Sequence, residues 1–365
     1  MHASPDVFSQ RRLAKYPDPF CLASSARDVP TDIAYVRMQQ SFKGSQEQHQ
    51  PLRTFLYLGL KYTFFGGLLL AALLVGLVFC LEALFSGANA MGRQCSDKNH
   101  VTHQNKEKFA MVTATDGGGR IPGRSFDGLM GLVAPNKLKY AQRHGYTFIN
   151  ASDTLDNSRP PSWSKILAVR KHLPKFDWVF WNDVDSLVTN PEVTLEGIIG
   201  SVVGSRDNSM IPDLILTKDV TGVNAGMFFF RNTEWSMHFL ELWWNQTSFV
   251  RPFGQMKSGD NDALKYLLST MPREELQQHV AMPRMQCAFN SYLWRPTLKS
   301  GIRLMKLPQV VWQGAYSRDD FMVHLAGLNN KKAWVQTFLA DLEEEPATSL
   351  RNSSRKEGPI WMDFM

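Results

Sequence analysis

The stretch from Trp178 to Pro191, Trp-Val-Phe-Trp-Asn-Asp-Val-Asp-Ser-Leu-Val-Thr-Asn-Pro, holds the pair of side chains most able to do chemistry, Asp183 and Asp185. The apolar run before them reads as a buried strand that stops at a sheet edge. In extended backbone, residues i and i+2 face the same way. The spacing therefore aims both carboxylates at one point just past the strand's end, where open α/β sheets hold ligands. Two like charges so close need a counter-charge. A hard divalent cation supplies one, and carboxylate oxygens suit Mn²⁺ or Mg²⁺. A nucleotide diphosphate can complete the coordination shell. Two solvated aspartates at a strand-to-turn junction are the plain alternative. The aromatic strand before the pair and the Asn190-Pro191 turn after it weigh against that alternative.

Other residues could serve the same site. His324 ends the apolar run Phe321-Met-Val-His324 and offers a ring nitrogen as a third metal ligand, although a lone histidine there is more often packed. Lys331 and Lys332 follow closely and can neutralise a diphosphate. Lys165 is a solvated charge or a contact to an anionic ligand. Gly222 and Gly226 let backbone approach a ligand closely, and Asn224 between them is placed to hydrogen-bond a sugar hydroxyl. Asp260 is a natural N-cap of the helix that opens at Gly259-Asp-Asn-Asp-Ala-Leu264, and also a carboxylate at a sheet edge. Thr113, near the end of the strand candidate Phe109–Thr115, is placed among the nucleotide contacts. The run Asp116-Gly-Gly-Gly-Arg120 after it is a turn that could lie against the nucleotide.

These residues need a scaffold. Strand, crossover and strand from Phe109 to Asn150 argue for a parallel α/β sheet. Helical spacing marks 163–173 and 235–244, and a further aromatic strand follows Asn224. The 365 residues have room for an anchor and one large domain, and the net charge of +6 is mild. No dense Lys/Arg block with interleaved aromatics appears, which argues against nucleic-acid binding.

From Tyr62 to Leu81 there is no charged residue, long enough to span a bilayer. Arg53 and Lys61 flank its N-terminal side and Glu82 its other side, which puts the N-terminus in the cytosol and 86–365 in a lumen. The expected organisation is a disordered cytosolic segment over 1–53, a transmembrane anchor over 54–85, a flexible stalk over 86–107, a catalytic domain over 108–340 and a frayed tail over 341–365. Asn150, Asn245 and Asn352 begin glycosylation triplets on the luminal side. Cys95 and Cys287 are luminal and could pair; Cys21 and Cys80 lie elsewhere.

Trp163-Ser-Lys165, Trp178 to Asp185 with Asn190-Pro191, Asn224 to Asn232, Asp260-Asn-Asp-Ala-Leu264 and His324-Leu-Ala-Gly327 occur in the order and approximate spacing of glycosyltransferase family 34, and the chain resembles that family over roughly 108–332. Its members include fungal α-galactosyl- and α-mannosyltransferases and plant xyloglucan α-xylosyltransferases. The resemblance implies a GT-A fold, an α/β sheet of Rossmann-like character, on a type II Golgi membrane protein. It implies a UDP- or GDP-sugar donor, a glycan acceptor, Mn²⁺ and retention of anomeric configuration. It admits homo-oligomers or hetero-oligomers with other Golgi glycosyltransferases. Carried over, Asp183 and Asp185 are the metal and diphosphate motif, His324 the late metal ligand, and Asp260 the carboxylate near the reacting sugar. Asn261 stands where glutamine is common. The lysine after His-x-x-Gly does not align cleanly, and Lys331 is taken as the phosphate contact. Two further readings stay open: a non-catalytic subunit of a Golgi glycosyltransferase complex, and a membrane-tethered glycan-binding protein without a donor site. A metal-dependent nucleotide-sugar hydrolase is a third.

Overall fold

The computed structural model describes residues 32–95, 107–119, 125–204, 211–255 and 257–348. The chain divides into two units, Met1–Leu73 and Leu74–Met365. Residues 1–31 of the segment expected to be disordered, Cys21, part of the expected stalk, Arg120 and Asn352 lie outside the described residues.

Helix α1 runs over Asp32–Ser86 and contains a span, Thr54–Ser86, long and apolar enough to cross a membrane, with mean hydropathy 2.7. The expectation of disorder up to residue 53 is corrected over 32–53, which are helical. Glutamine, glutamate, lysine and methionine dominate 38–50, and these are good helix formers.

The body in Leu74–Met365 is built on strands β1 (Phe109–Thr113), β2 (Thr147–Asn150), β3 (Trp178–Asn182), β4 (Ser186–Val188), β5 (Leu214–Asp219), β6 (Gly222–Arg231), β7 (Val280–Ala281), β8 (Ser291–Tyr292) and β9 (Met322–His324). Six form one sheet in the order β2-β1-β3-β6-β5-β7, and β4-β9-β8 form a smaller one. β1 pairs parallel with β2 and β3, as the crossover pattern predicts. The sheet is nonetheless mixed, because β6 runs antiparallel to both β3 and β5. Only Val220 and Thr221 join β5 to β6. So short a link closes a hairpin and cannot make a parallel crossover.

Both faces of the large sheet are covered, which is why β3 is apolar at every position from Trp178 to Trp181. Its odd and even residues belong to different cores. Val179, Trp181, Phe228 and Phe230 pack with helices α3 (Ser164–His172), α5 (Glu234–Trp244) and α6 (Asp260–Thr270), through Ile166, Leu240, Trp243 and Leu264. Trp178, Phe180, Met227 and Phe229 pack with α2 (Leu129–His144) and α4 (Leu195–Val203), through Tyr140, Ile198 and Ile199. The Phe180 and Phe229 rings stack at 4.3 Å across the β3–β6 pair. α2 ends at Gly145 in the left-handed conformation, the stop its glycine predicts.

Two expected boundaries move. The C-terminal helix covers Lys331–Thr348, and Leu339 and Leu342 pack onto the core of Val184, Leu187, Val323 and Val335. The expected tail therefore begins inside a packed helix. The stalk is also corrected: residues 86–95 are bound to the body. Arg93 and Asp320 form a buried ion pair at 2.8 Å. Asn89 donates to the Arg318 carbonyl and to Asp320. Cys95 and Cys287, 192 residues apart, form a disulfide. The polar composition that suggested a stalk instead supplies partners for one buried carboxylate. Asn150 and Asn245 are exposed.

Candidate active site

At the C-terminal end of β3 the chain turns at Asp183-Val184-Asp185 and leaves as β4. The carboxylates converge because of this turn and not because of strand alternation. The turn is pinned on several sides. Asp183 N–H donates to the Gly226 carbonyl at 2.9 Å, and Leu325 N–H donates to the Asp185 carbonyl at 2.8 Å. From below, the fully buried Lys137 of α2 donates to the Asp183 carbonyl at 3.1 Å and to Ser186 Oγ at 3.2 Å. Burial pushes the Lys137 amine down to about 7, against the opposing pull of Asp185 and Asp183.

β9 pairs antiparallel with β4 and places His324 opposite Ser186. Asp183, Asp185 and His324 each offer a ligand atom, all within 4.8 Å of one another. His324 Nε2 lies 3.3 Å from Asp185 Oδ1 and 4.0 Å from Asp183 Oδ2. Its other nitrogen, Nδ1, lies 2.9 Å from Asn290 Oδ1. The Asn290 amide nitrogen is spent on Thr217 Oγ1 and Asn224 Oδ1, so its oxygen accepts and Nδ1–H donates. That leaves Nε2 to face two carboxylates, an arrangement that fits a cation held between them. Two carboxylate oxygens and one imidazole suit Mn²⁺. Gly226 makes the close approach possible: a Cβ there would stand 2.5 Å from His324 Cε1 and 3.2 Å from Asp183 Oδ2. We expect Gly226→Ala to push the imidazole off the carboxylates and to weaken divalent-cation affinity by roughly 10–100-fold, read by calorimetric titration. Circular dichroism of the variant would show the fold retained.

Two lysines complete the electrostatics. Lys331 pairs with Asp185 Oδ2 at 2.8 Å and donates to the Leu325 carbonyl. Burial pushes the Asp185 carboxyl up, but Lys331 and His324 outweigh it and hold the group well below the usual carboxylate range. Lys165 bridges Asp183 Oδ1 at 3.3 Å and Asp260 Oδ2 at 3.2 Å, and donates to the Ala225 carbonyl. Burial lowers Lys165, yet the two carboxylates win and raise it above its ordinary value. Asp260 is likewise held low by Lys165 and by the hydroxyls of Ser258 and Ser162, against its burial. Asp260 is the first residue of α6, and the cap position expected for it belongs to Gly259. Gly259 has φ +98°, and a Cβ there would strike the Phe249 carbonyl.

Lys165, Asp183, Asp185, Asn224, Asp260, His324 and Lys331 line one cleft of about 520 Å³, whereas Lys332 is exposed outside it. Thr113 is corrected: it is fully buried in β1, does not line the cleft, and its carbonyl accepts from Ala151 N–H. The lining just beyond β1 comes from Ala114, Thr115, Asp116, Gly118 and Gly119 instead. Asn224 is in the cleft, but its amide is saturated. It donates to Asp219 Oδ2 and Tyr292 OH and accepts from Gly226 N–H and Asn290. Asn224 therefore shapes the β6 entry. Asn261 does the same, accepting from Ala225 N–H at 2.7 Å and donating to the Val223 carbonyl. Lys137, Asn290, Asp219 and Tyr292 carry no motif, and only the fold brings them to the site.

Residues 105–201 and 204–334 match the model of the galactosyl transferase GMA12/MNN10 family. The chain is similar to the probable alpha-1,6-mannosyltransferase MNN10 of Saccharomyces cerevisiae, at 24% identity over 199 residues, 47% of this chain and 51% of the relative. It is similar to galactomannan galactosyltransferase 1 of Cyamopsis tetragonoloba, at 25% over 167 residues, 40% of this chain and 37% of the relative. The chain thus spans about half or less of the length of these relatives. Among solved structures it is similar to a glycosyltransferase involved in the glycosylation of the major capsid of PBCV-1. The identity is 12% and the TM-score 0.42, over 64% of this chain and 99% of that one. It is also similar to the galactosyltransferase LgtC in complex with donor and acceptor sugar analogues, at 13% identity and TM-score 0.37, over 70% of this chain and 99% of that one.

Proposed function

Because the chain belongs to the galactosyl transferase GMA12/MNN10 family, we propose that it is a retaining glycosyltransferase moving a sugar from a nucleotide diphosphate to a glycan hydroxyl. The observation that carries this reading is the convergence of Asp183, Asp185 and His324 on one side of a cleft of drug-like size. Mn²⁺ would be held by these three residues, and Mg²⁺ suits the same oxygens less selectively. When bound, it would act as a Lewis acid on the leaving diphosphate. Lys331 and Lys165 set the charge of the carboxylates on either side. Asp260 is our candidate for the carboxylate beside the reacting sugar. Its bonds to Lys165, Ser258 and Ser162 keep it ionised and aimed. Galactose, mannose and xylose are the donor sugars we consider, and the relatives' own names divide between mannosyl and galactosyl transfer.

The reading includes a type II Golgi membrane protein with its body in the lumen. Arg53 and Lys61 on the N-terminal flank of the apolar span support that orientation. So does the Cys95–Cys287 disulfide, since such bonds persist in oxidising compartments.

The test is a thermal-shift titration of the full chain in detergent with UDP or GDP, each with and without Mn²⁺. Residues 86–95 belong to the body, so a truncation beyond them would not be the same protein. At 100 times its dissociation constant, a nucleotide that binds only the folded state should add about 2.7 kcal/mol. The expected result is a shift with one nucleotide that needs Mn²⁺. No shift with either would favour a non-catalytic or purely glycan-binding protein.

A further inference from the structure

Between β8 and β9, the helix Leu298–Lys306 stands out from the body. It has no fully buried residue, yet Leu298 is 83% exposed, Met305 77% and Ile302 39%, and Leu307 just beyond it 42%. Leu298, Ile302 and Met305 recur at i, i+4 and i+7, which is one stripe along the helix. Lys299, Arg303 and Lys306 each follow an apolar residue by one position, and so form a second stripe about 100° round. A soluble surface helix turns its apolar stripe to the core. This one turns it outward and rests on the body through Leu304.

The place of this helix says what covers it. Leu304 belongs to the same apolar cluster as Phe85, Leu81, Val311, Trp294, Trp312 and Val220. Leu81 ends the uncharged run of α1, and Phe85 packs its ring 5.1 Å from Trp294 and 6.4 Å from Trp312. The helix is thus fastened to the body at the level where the apolar span of α1 gives way to polar residues. An outward apolar stripe bordered by cations, at that level, matches a helix lying in the interface plane.

We propose that Leu298–Lys306 is a second membrane contact. Its apolar stripe is buried in the leaflet from which α1 emerges, and Lys299, Arg303 and Lys306 lie against lipid headgroups. This rests on the reading of Thr54–Ser86 as membrane-spanning. Together with the buried Arg93–Asp320 pair and the disulfide, it makes the body a seated domain with a set orientation toward the bilayer. The β5–β6 hairpin, whose Val220 joins the same cluster, places the cleft end of the sheet on the membrane side.

The test uses the full chain in phospholipid vesicles, with Cys21→Ser and Cys80→Ser and one new cysteine carrying an environment-sensitive fluorophore. Met305→Cys reports the stripe. Lys175→Cys, exposed just before β3 and so at the sheet end away from Val220, is the control. The quencher is a nitroxide on the lipid chain roughly 5–10 Å below the headgroups, the depth such helices reach. The expected result is a blue-shifted label at 305 that loses about half its emission or more to the lipid nitroxide, with position 175 unaffected. A label at 305 that stays water-like overturns the proposal. A blue-shifted label that the nitroxide leaves alone overturns it too, and marks the stripe as a protein interface. An alkaline carbonate wash reads α1 separately. A retained chain with a water-like label at 305 retires this helix alone. A released chain whose label had been quenched retires the spanning helix and keeps the contact.

Discussion

Asp183→Asn is expected to cut sugar transfer by about 10²–10³-fold while the melting temperature barely moves, because it removes one negative charge aimed at the metal and leaves the fold's bonds in place. Asp183 is the right member of the pair for this test. Nearly a third of its side chain is exposed, whereas Asp185 is 7% exposed and holds both Lys331 and His324. An asparagine at 185 would set an amide against the Lys331 ammonium and confuse lost catalysis with lost structure. At 183 the asparagine oxygen still accepts from Trp181 Nε1 and from Lys165 Nζ, which lie 2.8 and 3.3 Å from Asp183 Oδ1, and Lys165 keeps its pair with Asp260. The measurement is a rate of transfer across a Mn²⁺ titration, beside a melting curve. A variant that keeps full activity with an unchanged Mn²⁺ dependence would remove the metal site from the proposal. A weaker Mn²⁺ midpoint with partial recovery at high Mn²⁺ would tie the loss to the cation.

Asp320→Ala is expected to cost about 3–5 kcal/mol of stability, because it strands a buried guanidinium. Asp320 is 1% exposed and accepts two bonds from Arg93, one from Ser291, one from Ser317 N–H and one from Asn89. Burial raises its carboxyl above the ordinary value, against the pull of Arg93. For a domain of this size the loss corresponds to a fall in melting temperature on the order of 10 °C. Asp320→Asn keeps the shape and several of the bonds, so the difference between it and the native chain isolates the charge of the ion pair. Denaturation of the purified chain in detergent, read by tryptophan emission, measures both. A loss under about 1 kcal/mol for Asp320→Ala would mean that residues 86–95 are not fastened as the buried pair implies.

Much of the site was legible because its residues are of types that rarely gather by chance. A carboxylate pair after an aromatic strand, a histidine at the end of a later apolar run and small residues around Asn224 each state a local requirement that a reader can recover. The strands and helices around them follow from apolar spacing, and β1, β3, α3 and α5 lie where that spacing puts them. What failed was of two kinds. Thr113 was placed by its position near a strand end, but burial is a property of neighbours and β1 is covered on both faces. The stalk and the tail were drawn from polarity. Arg93 and Asn89 are polar because they meet a single buried carboxylate more than 200 residues away, and no local pattern encodes that partner.

Taken alone, the sequence determined the apolar length of α1, the α/β class and the choice of Asp183, Asp185 and His324 as residues to look for together, because chain length, side-chain period and donor chemistry are local. The tertiary structure decided which way β6 runs, since hairpin closure depends on where β5 ends. It decided that the carboxylates meet through a turn pinned by Lys137, Gly226 and Leu325. It also decided that Asn290 sets the tautomer of His324, and that Asn224 and Asn261 shape backbone. These are contacts between residues tens to hundreds of positions apart, and hydrogen-bond partners at that separation are chosen only when the sheets and helices have closed around them.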